Sequence, residues 1–172
     1  MEDKAAIEKV LSGDKEAFRF LVQRYQNQAV THAAAILGCR SEAQDAAQEA
    51  FIDAYNSLRR FDTARAFYPW LYVLVRNRSF KMLARRKPAD DVEEIDIVAP
   101  RSGVSPEEHI WLERALKNLA AEDREIITLK HLDGLSYKEI AACLEIPAGT
   151  VMSRLFYARK QLKAGLAGKF SE

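Results

Sequence analysis

At 172 residues, 48% hydrophobic and 30% charged, with 7 glycines and 5 prolines, the chain suits one medium or two small, mostly helical soluble domains. No apolar run approaches the length of a membrane span and no charged-then-apolar signal opens the sequence, so a cytoplasmic protein is expected. The formal charge is only +1, yet it falls in blocks: +8 over residues 57–87, −7 over 88–113 and +4 over 150–172. Salt screens charge over roughly 10 Å, so a polyanion responds to those blocks rather than to the total.

The first apolar set, Ile7, Val10 and Leu11, has helical spacing and ends at Ser12-Gly13-Asp14, a turn whose aspartate can cap the next helix. Phe18, Leu21, Val22, Tyr25, Ala29, His32, Ala33 and Ile36 continue the helical period until Gly38. His32 lies in that stripe and reads as a packed core histidine, with nothing nearby in sequence to orient it for chemistry. A third helix starts near Ser41 and turns Ala43, Ala46, Ala47, Ala50, Phe51, Ala54 and Leu58 inward. Asp45, Gln48, Glu49 and Ile52 stand at i, i+3, i+4 and i+7 on its other side. By residue type alone that stripe is an ordinary solvated face.

From Ser57 the character changes. Arg59, Arg60, Arg65, Arg76, Arg78, Lys81, Arg85, Arg86 and Lys87 are interleaved with Phe61, Phe67, Tyr68, Trp70, Tyr72 and Phe80. Cations draw in the phosphate chain and release counterions, while aromatic faces take up unstacked bases. The combination fits single-stranded or melting DNA better than intact duplex. Trp70, Leu71, Leu74 and Val75 are expected in the core, whereas Phe61 and the polar loop Asp62–Ala66 are expected to act.

Residues 88–105 read as an acidic linker: Pro88, Pro100 and Gly103 interrupt the period, and Asp90, Asp91, Glu93, Glu94 and Asp96 cluster. Fully extended, such a stretch reaches roughly 60 Å, or about 18 base pairs of duplex. The acidic cluster is also expected to fold back on a basic domain when DNA is absent. Ser105-Pro106-Glu107-Glu108 then restarts helix as a capping box with proline at the first position, followed by Ile110, Trp111, Ala115, Leu116 and Leu119 as an apolar side. A helix over about 121–132 supplies Ile126, Ile127 and Leu129 before Asp133-Gly134.

Ser136 and Glu139 form a second capping box, Ile140, Ala141 and Leu144 give one apolar face, and Glu145-Ile146-Pro147 makes a turn. In the next helix Val151, Leu155, Ala158 and Leu162 face inward. Thr150, Ser153, Arg154, Phe156, Tyr157, Arg159 and Lys160 are left for other faces. An apolar back with a polar, basic front is what a helix needs to enter a major groove. Cys39 and Cys143 stand far apart with no metal-ligand spacing, and read as free or buried thiols. No paired carboxylates, nucleophile with a base, phosphate-cradling loop or metal cluster is evident, so no enzyme, cofactor, metal or small-molecule substrate is expected.

Leu135-Ser136-Tyr137-x-Glu139-Ile140-Ala141, followed by Ile146-Pro147-x-Gly149-Thr150-Val151-x-Ser153-Arg154-Leu155, closely resembles the promoter-binding helix-turn-helix of bacterial sigma factors, nearest to the extracytoplasmic-function class. Asp45-x-x-Gln48-Glu49-x-Phe51 is similar to the segment with which that family grips the clamp helices of RNA polymerase. Ala66-Phe67-Tyr68-x-Trp70-Leu71-Tyr72 with Arg76-Asn77 resembles its −10 recognition and melting region, where a loop captures a flipped base and Phe61 and Asn77 occupy the matching positions.

The resemblance implies an all-α chain of two small helical domains joined by a flexible acidic linker: a region 2-like domain over 1–87, the linker over 88–105, and a region 4-like helix-turn-helix domain over 106–172. It implies core polymerase binding by Asp45, Gln48, Glu49 and Ile52. Single-stranded −10 DNA would be bound by Phe61, Arg65, Trp70, Arg76, Asn77 and Lys81, and duplex −35 DNA by Thr150, Ser153, Arg154, Phe156, Tyr157, Arg159 and Lys160. Core RNA polymerase, promoter DNA and an anti-sigma factor are the implied partners; the chain would be nucleoid-associated when active or held at the membrane by the anti-sigma partner.

Three positions depart from the family pattern. Glu145 replaces a frequent glycine, so its backbone is expected to avoid positive φ. Met152 and Tyr157 stand where a basic residue is common, which implies an altered −35 preference. A stand-alone helix-turn-helix regulator and a protein-interaction module without promoter function are the alternative readings.

Overall fold

The computed structural model describes residues 2–86 and 105–167, all of it helix, turn or loop without strand among the described residues. The N-terminal half holds α1 (Asp3–Leu11), α2 (Ala17–Leu37), α3 (Arg40–Ser57), a 3₁₀ turn at Leu58–Arg60 and α4 (Phe67–Leu83). Gly13 at φ 110 lets the chain reverse after α1, and Asp14 Oδ1 accepts from the backbone N–H groups of Glu16 and Ala17 at 3.1 and 3.3 Å. Gly38, at φ 68, closes α2 in the left-handed conformation as its N–H donates to Ala34 O. Small residues then let α2 and α3 approach closely: Ala29, Ala33, Ala43, Ala46, Ala50 and Ala54 are all buried, around Leu21, Phe51, Phe67 and Leu71.

The C-terminal half holds α5 (Pro106–Lys117), α6 (Ala121–His131), α7 (Tyr137–Leu144) and α8 (Ala148–Ala167). Both capping boxes form. Ser105 Oγ accepts from Glu108 N while Glu108 Oε2 accepts from Ser105 N, at 3.2 and 3.0 Å, and Ser136 and Glu139 repeat the exchange at 3.3 and 2.8 Å. Leu116, Leu119, Ile126, Leu129, Ile140, Leu144, Val151 and Leu155 make the core. Ile110, expected on the apolar side of α5, is instead 48% exposed because that end of the helix lies beyond the partners that bury Ala115 and Leu116.

The turn after α7 also departs from expectation. Glu145 does adopt positive φ (54°), capping α7 in the left-handed region with the N–H groups of Glu145 and Ile146 both directed at Ala141 O. The turn geometry demands that conformation, and the non-glycine residue accepts its steric cost. His32 is in the core as expected, at 1% exposure, and its Nε2 contacts the carboxylate of Asp133 from the other half of the chain.

The two halves are docked, α2 against α6 and α4 against α7. Ala35 and Tyr72, from the N-terminal half, join the apolar cluster of the C-terminal half. Nearly all of the expected linker, including Pro88, Pro100, Gly103 and the cluster Asp90, Asp91, Glu93, Glu94 and Asp96, lies outside the described residues.

Candidate nucleic-acid interface

The inward alanines of α3 leave its opposite face to solvent, and there Asp45, Gln48, Glu49 and Ile52 are all exposed. Ile52 is 51% exposed, an apolar side chain in water beside three polar ones. Gln48 and Ile52 also edge an open groove of about 930 Å³ between α2 and α3, floored by Phe18, Val22, Val30, Phe51 and Tyr55. The groove's other lining is mainly polar and uncharged apart from Arg40, and an open apolar floor of this kind suits a protein partner that brings apolar groups.

Beside the apolar core that α3 and α4 share, charge also links the two helices. Arg78 donates from Nε and Nη2 to the two carboxylate oxygens of Asp53, each at 2.6 Å, and its Nη1 lies 3.2 Å from Glu49 Oε2. The guanidinium holds the Asp53 carboxyl below its usual range, and the Asp53 hydrogen bond in turn raises Arg78. With Arg78 committed to α3, Asn77 and Lys81 project into solvent from another face at i, i+4 spacing.

The loop before α4 is exposed from Asp62 through Ala66, Arg65 included, and is shaped by an Asx turn in which Ala64 N donates to Asp62 Oδ1 at 3.0 Å. Phe61 differs from the expectation of a free stacking surface. In the 3₁₀ turn, residues three apart fall on one side, so Leu58 and Phe61 both point inward. Phe61 is 7% exposed, with its ring 5.8 Å from Phe67 and 4.8 Å from Trp70. Trp70 itself is half-buried and packs on the core; Leu71 and Val75 are fully inside.

Arg76 is not free. Its Nε donates to Glu125 Oε1 at 2.7 Å, with its guanidinium 4.8 Å from the centre of the Phe80 ring. Glu125 comes from α6, is 1% exposed, and also accepts the Tyr72 hydroxyl. Burial pushes the Glu125 carboxyl up, against the opposing pull of Tyr72 and Arg76, and pushes the Tyr72 phenol well up. Beside it, Asp133 accepts from Gln28 Nε2 at 3.3 Å and from Tyr68 Oη at 3.1 Å besides its contact with His32. This seam is absent from the sequence reading. Its one legible signal is Glu125 itself, an acid on the same helical face as Leu129.

On α8 the periodicity plays out as expected in direction. Val151, Leu155 and Ala158 are buried, while Met152, Ser153, Arg154, Phe156, Tyr157, Arg159 and Lys160 face solvent and Thr150 is half-buried. Phe156 (63% exposed) and Tyr157 meet edge to face at 5.5 Å, an aromatic ridge beside Arg159 and Lys160. Ser153 Oγ lies 3.1 Å from Thr150 O, and Arg159 Nε donates to His131 Nε2 at 3.2 Å. The α7–α8 pair thus presents a polar, basic and aromatic front with its apolar back buried. Among the described residues, no three His, Cys, Asp or Glu side chains gather as a metal site, and no helix is long and apolar enough to cross a membrane.

Comparison with known proteins gives this geometry a family. Residues 21–89 match the model for Sigma-70 region 2 and residues 109–162 the model for Sigma-70, region 4. The ECF RNA polymerase sigma-E factor of Escherichia coli (strain K12) is 37% identical over 94% of this chain and 93% of its own length. The sigma-E factor of Haemophilus influenzae is 36% identical over 95% and 94%. Among solved structures, CnrH, in complex with the cytosolic domain of CnrY, is similar with a TM-score of 0.73 at 28% identity, covering 96% of this chain and 97% of that one. The sigma factor RpoE of Bartonella quintana, in complex with the anti-sigma factor NepR, shares the fold with a TM-score of 0.74 at 24% identity, over 87% and 96%. With both matched regions in order along one helical chain, and a relative this similar over nearly its full length, the protein belongs to the extracytoplasmic-function family of RNA polymerase sigma factors.

Proposed function

We propose that this sigma factor divides promoter recognition between its two halves, with 1–87 acting as the polymerase-binding and −10 unit, 88–105 as the tether and 106–172 as the −35 unit. Asp45, Gln48, Glu49 and Ile52 meet the polymerase clamp. Arg65, Trp70, Asn77 and Lys81 attend the melted −10 strand, with Arg76 joining them once released from Glu125 and Phe61 backing the loop from within. Thr150, Ser153, Arg154, Phe156, Tyr157, Arg159 and Lys160 address the −35 duplex. An anti-sigma factor restrains the protein, which works in the cytoplasm at the nucleoid and is held near the membrane through that partner. As an initiation factor it performs no chemistry of its own; the polymerase does.

One observation carries this reading: the Asp45–Ile52 stripe and the outward face of α8 lie on different halves of the chain and are both open to solvent. Two large exposed surfaces with opposite chemistry support two different partners. Run-off transcription with purified core polymerase tests it. Transcripts from defined starts should depend on adding the protein, and promoter binding should be weak for the protein alone. Tight specific binding without polymerase would instead favour a stand-alone regulator, and transcription indifferent to the chain would favour an interaction module.

A further inference from the structure

We propose that Met152 and Tyr157 are specificity-determining residues of the −35 contact, and that they select thymine through its methyl group. The inference rests on the sigma-factor reading above and names what the outward face of α8 recognises. Among the described residues, the three most exposed large hydrophobic side chains are Phe156 at 63%, Tyr157 at 59% and Met152 at 57%. All three lie within six consecutive positions of one helix. Met152 and Phe156 share a face at i, i+4 spacing, and Tyr157 meets Phe156 edge to face at 5.5 Å. Met152, Phe156 and Tyr137 from α7 also border one open hollow, with Arg159, Lys160 and Lys163 lining the rest.

Folding leaves this ridge in water although Val151, Leu155 and Ala158 already give the helix its buried face. Large apolar groups gathered in that way mark a surface built for a partner. Charge identifies which partner. α8 carries Arg154, Arg159, Lys160 and Lys163 and no acid, so its front suits a polyanion. Duplex DNA is a polyanion whose major groove offers one apolar base group, the C5-methyl of thymine.

Against a G·C pair the same side chains would strip water from base donors and acceptors and return no hydrogen bond. The ridge therefore favours thymine and penalises its competitors. Met152 and Tyr157 lie in the first three turns of α8, which starts at Ala148, the part of such a helix that meets base edges. Lys160 and Lys163 follow further along, where they suit phosphates. Two polar neighbours are engaged within the protein: the Ser153 hydroxyl is directed at Thr150 O at 3.1 Å, and Arg159 Nε donates to His131 Nε2 at 3.2 Å. Base choice is thereby left largely to the apolar groups.

The test uses holoenzyme assembled from core polymerase and the full chain. Promoter duplexes with a randomised −35 block are selected for binding. Deoxyuridine then replaces thymidine one position at a time, removing the methyl and keeping every hydrogen-bonding group. The selected block should hold thymine at two or more positions, on either strand, and each decisive replacement should weaken wild-type binding about three- to fourfold. Met152→Ala should abolish that sensitivity at one position and Tyr157→Ala at another, with the remaining positions unmoved. Tyr157→Phe should keep it, since the methyl meets the ring and not the hydroxyl. Both side chains are exposed, so the variants retain the fold, which circular dichroism checks.

A thymine-free block, or methyls that can be removed without effect, overturns the proposal. So does a deoxyuridine effect that persists unchanged in either alanine variant. Loss of core polymerase binding in those variants, with no dependence on base, would make the ridge a protein contact and equally overturn it. Run-off transcription by wild-type holoenzyme separates the two levels: its failure refutes the sigma reading, whereas accurate initiation without methyl dependence refutes only this assignment.

Discussion

Asp53 on α3 receives both arms of the Arg78 guanidinium from α4 in two parallel hydrogen bonds of 2.6 Å. This clip joins the two helices at the edge of their shared core and gives the fold a defined acid sensitivity. Arg78 lowers the Asp53 pKa, so the folded chain holds that proton less readily than the unfolded one. The stabilisation is fully present above the unfolded value of about 4 and is lost as pH falls through the depressed folded value. Urea melts of Asp53→Asn should show lower stability at neutral pH and a flatter decline below it than wild type.

Glu145 offers a test of turn chemistry. It is exposed and held at φ 54 at the end of α7, where a side chain is crowded and glycine is at ease. Glu145→Gly should stabilise the chain by about 0.5–1 kcal/mol in thermal or urea unfolding, since the left-handed penalty exceeds the added chain entropy. A loss of stability would show that the glutamate does something in the turn beyond occupying it.

Charge reversal at Asp45 and Glu49 should abolish binding to core polymerase, measured by fluorescence anisotropy of the labelled protein. Asp45 is solvated, and Glu49 contributes only a surface pair with Arg78. The double variant should therefore lose at most about 1 kcal/mol of stability. Retained binding in the folded variant would remove the stripe from the interface.

The aromatic and basic members of α8 should separate in their effects. Phe156→Ala, at an exposed position, should change stability by less than about 0.5 kcal/mol while reducing discrimination between −35 sequences. Lys160→Ala should weaken binding across sequences alike and lower the salt slope of the holoenzyme–promoter affinity by about one.

The two thiols should react at different rates. Burial pushes the Cys143 thiol up to about 11, whereas Cys39 is half-buried beside Ser41 at the start of α3. At pH 8 a thiol-exchange reagent should label one cysteine readily, and the second only as α7 unfolds. Equal rates would place Cys143 in a more open environment.

Most helices were legible because their signals are local. The Ser136–Glu139 box, Gly38 and the spacing of Val151, Leu155 and Ala158 each declare a boundary or a face within a few residues. Phe61 misled because the polar loop that follows it in sequence suggests exposure, whereas its ring packs on Phe67 and Trp70 across that loop. Glu145 misled for the opposite reason: steric preference is a bias, and the hydrogen bonds at the end of α7 override it. The seam was out of reach in principle. His32 and Asp133 are 101 residues apart and Tyr72 and Glu125 are 53 apart, so no periodicity within one element reports their meeting.

The measurement that bears most directly on the whole account is mapping of transcript 5′ ends made by core polymerase and this protein over a pooled genomic library. Starts should cluster downstream of two short sequence blocks held at a nearly fixed separation, one for each half of the chain. Starts scattered as with core polymerase alone, or preceded by a single block, would contradict it.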